Sequence, residues 1–485
     1  MPSTHPLLTR AARGVLLGSF PGTTLPDWLV EAVRGGLGGV VLFGENVPDL
    51  VTARRLCQEL HALSPELVVM IDEEGGDVTR LQAAEGSGLP GNAALGAVDD
   101  VDLTLRAGRA LGALLHAVGI DVDLGPCLDV ASEPWNPVVG SRSFGPDAEL
   151  VARHGVATVR GLAAGGAGAC GKHYPGHGAT LVDSHVGLPV LHVDLELLQQ
   201  RDLLPFRAAV AAGMESVMTA HVVVPGLGER PASLSRWSSV LLRRSGFAGP
   251  VVTDALGMKA VGDDLGEAAV AAVRAGADLL CLDAPHQRDA EDMLHRSTEA
   301  LVAAAAAGVV EVEALRRSAM RNRALGARCA LRRERPRLEL DRARQQLAEV
   351  GAEAADRSLD VRGEVRTSGP LQLVDLRPTQ NLAAGRTTSA FTAALTGRAQ
   401  ASGRGEVPTV PATDVDPGRA VVVLVREPHP ERPEGRALAE LVGRRPDAVV
   451  VHTGVAATAP DVPHRVLCHG VGRANAEAVS RRVVG

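Results

Sequence analysis

Between Gly14 and Leu282 short apolar runs alternate with longer segments in which small and apolar residues recur at helical spacing, the β-α-β-α rhythm of a parallel sheet. The apolar runs are Gly14–Gly18, Gly39–Phe43, Leu67–Asp72, Val122–Leu124, Ala169–Lys172, Ser216–Thr219, Pro250–Thr253 and Asp278–Leu282. Eight such strands joined by right-handed crossovers predict a closed (β/α)8 barrel of TIM type, with every strand's carboxyl end on one face. Ala148–Ala163 and Gly262–Gly276 read as connecting helices, and Gly276 stands where a helix ends in a left-handed residue. Charged helical sequence runs from Val309 to Asp360 and carries Pro336; Arg362–Pro370 is short of large apolar residues and reads as a hinge. Beyond it, strand-like Leu371–Leu376, Ala420–Val425, Ala448–His452 and Val466–Cys468 alternate with helical Gly435–Val442 and Ala474–Arg482. The expected organisation is a barrel over residues 1–330, a helical linker over 331–368, and a smaller three-layer α/β sandwich domain over 369–485 with a structural or dimerising role. No glycine fingerprint sits between a strand and a helix, so no nucleotide cofactor is expected.

Composition narrows the function. With 485 residues, 45% hydrophobic and 22% charged, the chain is of globular type, and disorder or a membrane span is not expected. A net charge of -7 without a basic run argues against nucleic acid or an anionic membrane surface as partner. The six cysteines are far apart and form no CxxC, as expected of buried free thiols in a reducing compartment. The first residues lack the apolar core and cleavage site of an export signal, so a cytoplasmic location is expected. Only two lysines occur, Lys172 and Lys259, and Tyr174 is the one tyrosine; Lys172 and Tyr174 share a seven-residue stretch, which points to a specific chemical demand there.

In a barrel, reactive groups belong where strands end. Strand 3 ends in Asp72 within Ile71-Asp72-Glu73-Glu74-Gly75-Gly76, with Arg80 beyond; strand 5 ends in Lys172-His173, strand 6 in Thr219-Ala220-His221 and strand 7 in Thr253-Asp254. Asn136–Gly145, containing Arg142, lies between strands 4 and 5. The densest stretch, Gly171–His185, holds three histidines, an aspartate and a lysine. It reads in three ways: a polar surface loop, a metal site of His173, His177, Asp183 and His185, or acid–base catalysis by an Asp183–His185 dyad in which the carboxylate fixes the imidazole tautomer. The spacing fits no standard metal pattern, and Lys172 would repel a cation. Asp254 is either a helix N-cap or a carboxylate nucleophile. Arg80, Arg142 and Lys172 are either solvated charges or donors to a polyhydroxylated ligand.

Five motifs occur in order: Gly39-Val40-Val41-Leu42-Phe43-Gly44; Asp72-x-Glu74-Gly75-Gly76-x-x-x-Arg80; Asn136-Pro-x-x-Gly-x-Arg142-Ser-Phe-Gly145; Lys172-His173-x-Pro175-Gly176-His177-Gly178 with Asp183-Ser-His185; and Thr253-Asp254-x-Leu256-x-Met258. Together they resemble the β-N-acetylglucosaminidases of glycoside hydrolase family 3, over Gly14–Met258 or about half the chain. The resemblance implies Asp254 as nucleophile, His185 as proton donor assisted by Asp183, and sugar-binding roles for Asp72, Arg80, Arg142, Lys172 and His173. It departs from residues common in the family at Asp77, Ala179 and Ala255. It further implies a retaining exo-glycosidase that releases terminal β-linked N-acetylglucosamine from peptidoglycan fragments or chitooligosaccharides, with no cofactor or metal. A neutral imidazole in place of a second carboxylate would admit phosphate as readily as water, so a phosphorylase using the same double displacement is the first alternative. A metal-dependent hydrolase built on the histidine cluster is the second, and a non-catalytic sugar-binding barrel the third. The expected partner is a small carbohydrate, with phosphate as a possible second one and a homodimer as a possible assembly.

Overall fold

The computed structural model describes residues 6–183, 187–378 and 390–484. Eight strands build the barrel: β1 (Leu16–Gly18), β2 (Gly39–Leu42), β3 (Val68–Ile71), β4 (Val122–Asp123), β5 (Gly168–Tyr174), β6 (Ser216–Thr219), β7 (Val251–Thr253) and β8 (Leu280–Cys281). All pair in parallel with their chain neighbours, and β1 also pairs with β8. The ring is completed between β7 and β8 by the Val252–Leu279 bridge, where Thr253 N–H donates to Leu279 O at 3.0 Å. Alternation within each strand sends one side chain inward and the next outward, and both faces are apolar. Leu17, Val41, Met70, Cys170, Met218 and Val252 fill the interior, while Leu16, Val40, Leu42, Val69, Ile71 and Val217 pack under the surrounding helices. Both faces being buried is why these runs are continuous in the sequence rather than alternating.

The amino-terminal mouth of the barrel is stoppered by the helix Val312–Arg333. Its Leu325 and Cys329 join the interior cluster, and Asn322 Nδ2 donates to Gly14 O at 2.9 Å and Asp278 O at 2.6 Å. Only the carboxyl-terminal mouth is left for a site. The second sheet holds β9 (Asp360–Arg362), β10 (Leu371–Asp375), β11 (Ala420–Val425), β12 (Val449–His452) and β13 (Arg465–Leu467), in the order β10-β11-β12-β13-β9. Helices Ala390–Ala401 and Arg473–Val483 cover one face and Pro433–Arg444 the other, which makes three layers.

Two details differ from the sequence reading. The charged stretch Val309–Asp360 is two helices, Val312–Arg333 and Leu340–Ser358, parted around Pro336. The hinge begins with β9, an edge strand antiparallel to β13. All three β9 residues are exposed, so its pairing rests on backbone groups and leaves no hydrophobic pattern to read. Each of the six cysteines is a buried free thiol, and among the described residues no helix is long and apolar enough to cross a membrane.

Candidate active site

The turn after β3 starts the site. Gly75 and Gly76 have φ of 84° and 59°, a region that side chains with a Cβ avoid, and a Cβ on Gly76 would lie 2.8 Å from Gly91 Cα. This tight reversal leaves Asp72 and Glu74 facing the barrel mouth. Lys172 reaches them from β5, with Nζ 2.5 Å from Asp72 Oδ1 and 2.7 Å from Glu74 Oε1. Arg142 arrives from the loop after β4 and grips Glu74 in a bidentate pair, Nε to Oε2 at 2.9 Å and Nη2 to Oε1 at 2.7 Å. Arg80 Nη2 lies 3.6 Å from Asp72 Oδ2.

These charges hold one another ionised. Burial alone would raise the Asp72 carboxyl, yet Lys172 and Arg80 keep it below its ordinary value. Burial likewise opposes ionisation of Glu74, and Arg142 and Lys172 hold it well below the carboxylate range. Burial would lower the Lys172 ammonium; Asp72 and Glu74 instead keep it above its ordinary value. The Glu74 and Lys172 side chains are 2% and 3% exposed, whereas Asp72 keeps 20% of its surface. A ligand therefore meets Asp72 and Arg80 first, backed by a buried charge lattice.

His173 is set by a residue the sequence reading passed over. Segment 126–128 pairs with Lys172, where Leu128 N–H donates to Lys172 O at 2.7 Å, and this lays Asp129 beneath the turn after β5. Asp129 Oδ2 accepts His173 Nδ1–H at 2.6 Å and the Cys127 thiol at 3.1 Å, while Oδ1 accepts His177 N–H at 2.7 Å. With Nδ1 protonated toward a carboxylate, His173 Nε2 carries the lone pair that accepts from Arg142 Nη2 at 3.2 Å. His173 and His177 hold the Asp129 carboxyl well below its usual range against its burial. His177 itself is pushed down to about 4 by burial and by His173, so it is neutral. Asn136 ties the two loops together, donating from Nδ2 to His177 O at 2.8 Å and Thr180 O at 2.9 Å. The segment 171–178 is buried throughout, which removes the surface-loop reading for that part of the stretch, while Leu181 and Val182 beyond it are exposed.

Asp254 stands at the end of β7, partly exposed, its N–H donating to Thr219 O at 3.0 Å and its Oδ1 accepting the next residue's N–H at 2.8 Å. It caps no helix: the short 3-10 turn Lys259–Val261 begins after Met258, and the next α-helix, Leu265–Ala275, is capped by Asp264. Behind it His221 donates from Nε2 to Ala255 O at 2.9 Å, with Nδ1 accepting Ser233 Oγ–H at 2.6 Å, so both polar groups of residue 255 are held. Asp254 and Asp72 both act on the Cys281 thiol at the end of β8, which burial and these carboxylates push well up. Asp72 follows β3 and Asp254 follows β7, so the parallel barrel carries both carboxylates to the same mouth.

Of the residues singled out from the sequence, Asp72, Arg80, Arg142, Lys172 and His173 form one connected cluster. Asp183 is partly buried and its backbone carbonyl accepts from Gly187 N–H at 3.0 Å. His185 lies outside the described residues. The alternative metal set of His173, His177, Asp183 and His185 thus includes a residue outside them; among the described residues, the candidate metal ligands that converge are Cys127, Asp129 and His173. Their atoms are bonded to one another and Arg142 stands beside them, so the donor set suits a hydrogen-bonded triad better than a cation. Glu74, Asp129, Asn136 and His221 went unassigned by sequence; their signal was position, next to strand ends already marked as chemical.

The profile of the glycosyl hydrolase family 3 N terminal domain matches residues 28–323. A β-hexosaminidase A of Pseudoalteromonas piscicida is 35% identical over 53% of this chain and 48% of its own length. A β-hexosaminidase of Neisseria meningitidis serogroup C is 41% identical over 46% of this chain and 64% of its own. The chain thus spans about half to just under two thirds of these relatives. The solved structure of a glycoside hydrolase family 3 β-N-acetylglucosaminidase from Paenibacillus is 29% identical, with a TM-score of 0.85 over 98% of this chain and 95% of that one. With the barrel, the motifs and this match over more than half its length, the chain belongs to glycosyl hydrolase family 3.

Proposed function

We propose that this chain is a retaining exo-glycosidase that releases terminal β-linked N-acetylglucosamine. The observation that carries the reading is the charge lattice of Asp72, Glu74, Arg142 and Lys172 at the same mouth as Asp254. Paired acceptors and donors of this kind suit the hydroxyls and amide of one sugar ring, because each hydroxyl gives and takes a hydrogen bond. Asp254 then attacks the anomeric carbon while His185, oriented by Asp183, protonates the leaving oxygen. The covalent glycosyl ester is released by water that passes its proton back to His185, and configuration is retained. The relatives' names, β-hexosaminidase and β-N-acetylglucosaminidase, support this sugar. Substrates would be peptidoglycan fragments or chitooligosaccharides; the six buried free thiols fit a reducing cytoplasm and hence a recycling role.

The test is product analysis with p-nitrophenyl N-acetyl-β-glucosaminide, with and without inorganic phosphate, for the wild type and Asp254→Asn. Free N-acetylglucosamine is expected in both buffers, and kcat of the variant should fall by roughly three orders of magnitude or more. Sugar 1-phosphate as the product in phosphate would replace the hydrolase by a phosphorylase. Full turnover by Asp254→Asn would overturn the mechanism, and activity lost to a chelator and restored by zinc would favour metal chemistry.

A further inference from the structure

The turn that carries Glu74 ends at Asp77, and there the second domain touches the barrel. The Asp77 carboxylate is 3% exposed. Its Oδ2 accepts Ser141 Oγ–H at 2.8 Å and pairs with Arg426 Nη2 at 2.7 Å, and its Oδ1 accepts Val471 N–H at 3.1 Å. Ser141 directly precedes Arg142, so one carboxylate fastens the Glu74 turn to the Arg142 loop. Arg426 follows β11 and Val471 follows β13, so the other partners come from carboxyl ends of the second sheet. Alongside, Gly76 N–H donates to Leu89 O at 2.9 Å, and Ala474 N–H from the second domain donates to Ser87 O at 3.2 Å. The fit is close: a Cβ on Gly470 would lie 2.6 Å from Pro90 O.

Adhesion between the two parts does not depend on this ion pair. Helix Leu340–Ser358 buries Ala343, Leu347, Val350 and Ala354 in the barrel core, and Ala355 against Ala474 and Ala478 of the second domain. A buried ion pair contributes little net stability, yet it demands a defined geometry from whatever it joins. Among the described residues Asp77 is the only carboxylate in salt-bridge range of Arg426. We propose that Arg426, acting through Asp77, is a positioning residue: the second domain sets the place of Arg142 and Glu74, and with it the affinity for the sugar. The identity of that sugar rests on the glycosidase reading; the coupling of the two turns does not.

The test uses the full chain as wild type, Arg426→Met, Arg426→Lys, Asp77→Asn, the double variant Asp77→Asn with Arg426→Met, and Arg362→Met as a control at the exposed Asp461 pair on the domain's far edge. KM and kcat are measured on p-nitrophenyl N-acetyl-β-glucosaminide, and backbone hydrogen exchange on residues 74–81 and 138–145. Arg426→Met is expected to raise KM about tenfold with kcat within about twofold, the signature of lost uniform binding. Exchange in both turns should quicken, Arg426→Lys should recover most of the KM, and the double variant should be no worse than Arg426→Met. The control should match wild type. Native KM in Arg426→Met, additive effects of the two single changes, or faster exchange without a KM change each overturn the proposal. Should Arg426→Met fail to fold, Asp77→Asn and Arg426→Lys carry the same comparison. If the wild type does not turn over the glycoside, the glycosidase reading falls instead, and exchange alone decides: unchanged exchange in both turns overturns the coupling.

Discussion

Asp129→Asn keeps the shape of the side chain beneath His173 and removes one acceptor, so its consequence follows from the hydrogen bonds. In the native arrangement four donors converge on the carboxylate: His173 Nδ1–H at 2.6 Å, His177 N–H at 2.7 Å, the Cys127 thiol at 3.1 Å and His173 N–H at 3.2 and 3.3 Å from the two oxygens. An asparagine has one oxygen and an amide that can only donate. If the oxygen serves His173, the amide confronts His177 N–H, and a buried donor is orphaned. If the oxygen serves His177, His173 must flip its tautomer, and its new Nε2–H points at Arg142 Nη2, 3.2 Å away in the native structure. Either way an orphaned buried donor costs about 1–3 kcal/mol, and exchanging charged for neutral acceptors loses about 1 kcal/mol more. A total near 3 kcal/mol corresponds to roughly a hundredfold in the folding equilibrium. In the second arrangement Arg142 is also displaced, which should raise KM. Urea unfolding followed by tryptophan fluorescence gives the stability, steady-state kinetics the KM, and nitrogen-15 shifts of labelled histidines the tautomer, with His173→Gln for assignment. A native midpoint together with a native His173 tautomer would refute the reasoning.

Two other outcomes follow from the buried histidines. Burial pushes His177 and His469 down to about 4, and burial together with His469 takes His452 to about 3, so all three fold neutral while the unfolded chain protonates them near 6.5. The unfolded state therefore binds more protons below about pH 6.5, and stability should fall as pH drops from 6.5 toward 5, by up to roughly 1.4 kcal/mol per pH unit for each histidine, and be flat from these groups above 7. Urea midpoints unchanged between pH 7 and 5 would contradict this. His221→Asn shortens the donor that holds Ala255 O behind Asp254, and kcat is expected to fall about tenfold with KM nearly constant, since nucleophile alignment matters most in the transition state; a KM change alone would count against it.

All eight barrel strands were readable because a strand buried on both faces needs an unbroken apolar run, and that run is a local property. Lys172 and Asp72 were readable for a related reason: strand ends in a barrel converge, so polar residues that close apolar runs mark the mouth. β9 left no such trace, since three exposed residues held by backbone pairing alone have no pattern. Asp254 as a helix cap or a nucleophile was undecidable along the chain. The structure decided against the cap because Asp264, ten residues on, already fills that place.

What the amino-acid order determined, then, is the set of elements and the chemical types gathered at one rim, because periodicity and turn chemistry act over a few residues. Only the tertiary structure decided who holds whom. Asp129 lies 44 residues before His173, and Asp77 lies 394 before Val471. Hydrogen-bond geometry across such separations depends on how sheets and loops pack, and no local pattern encodes it.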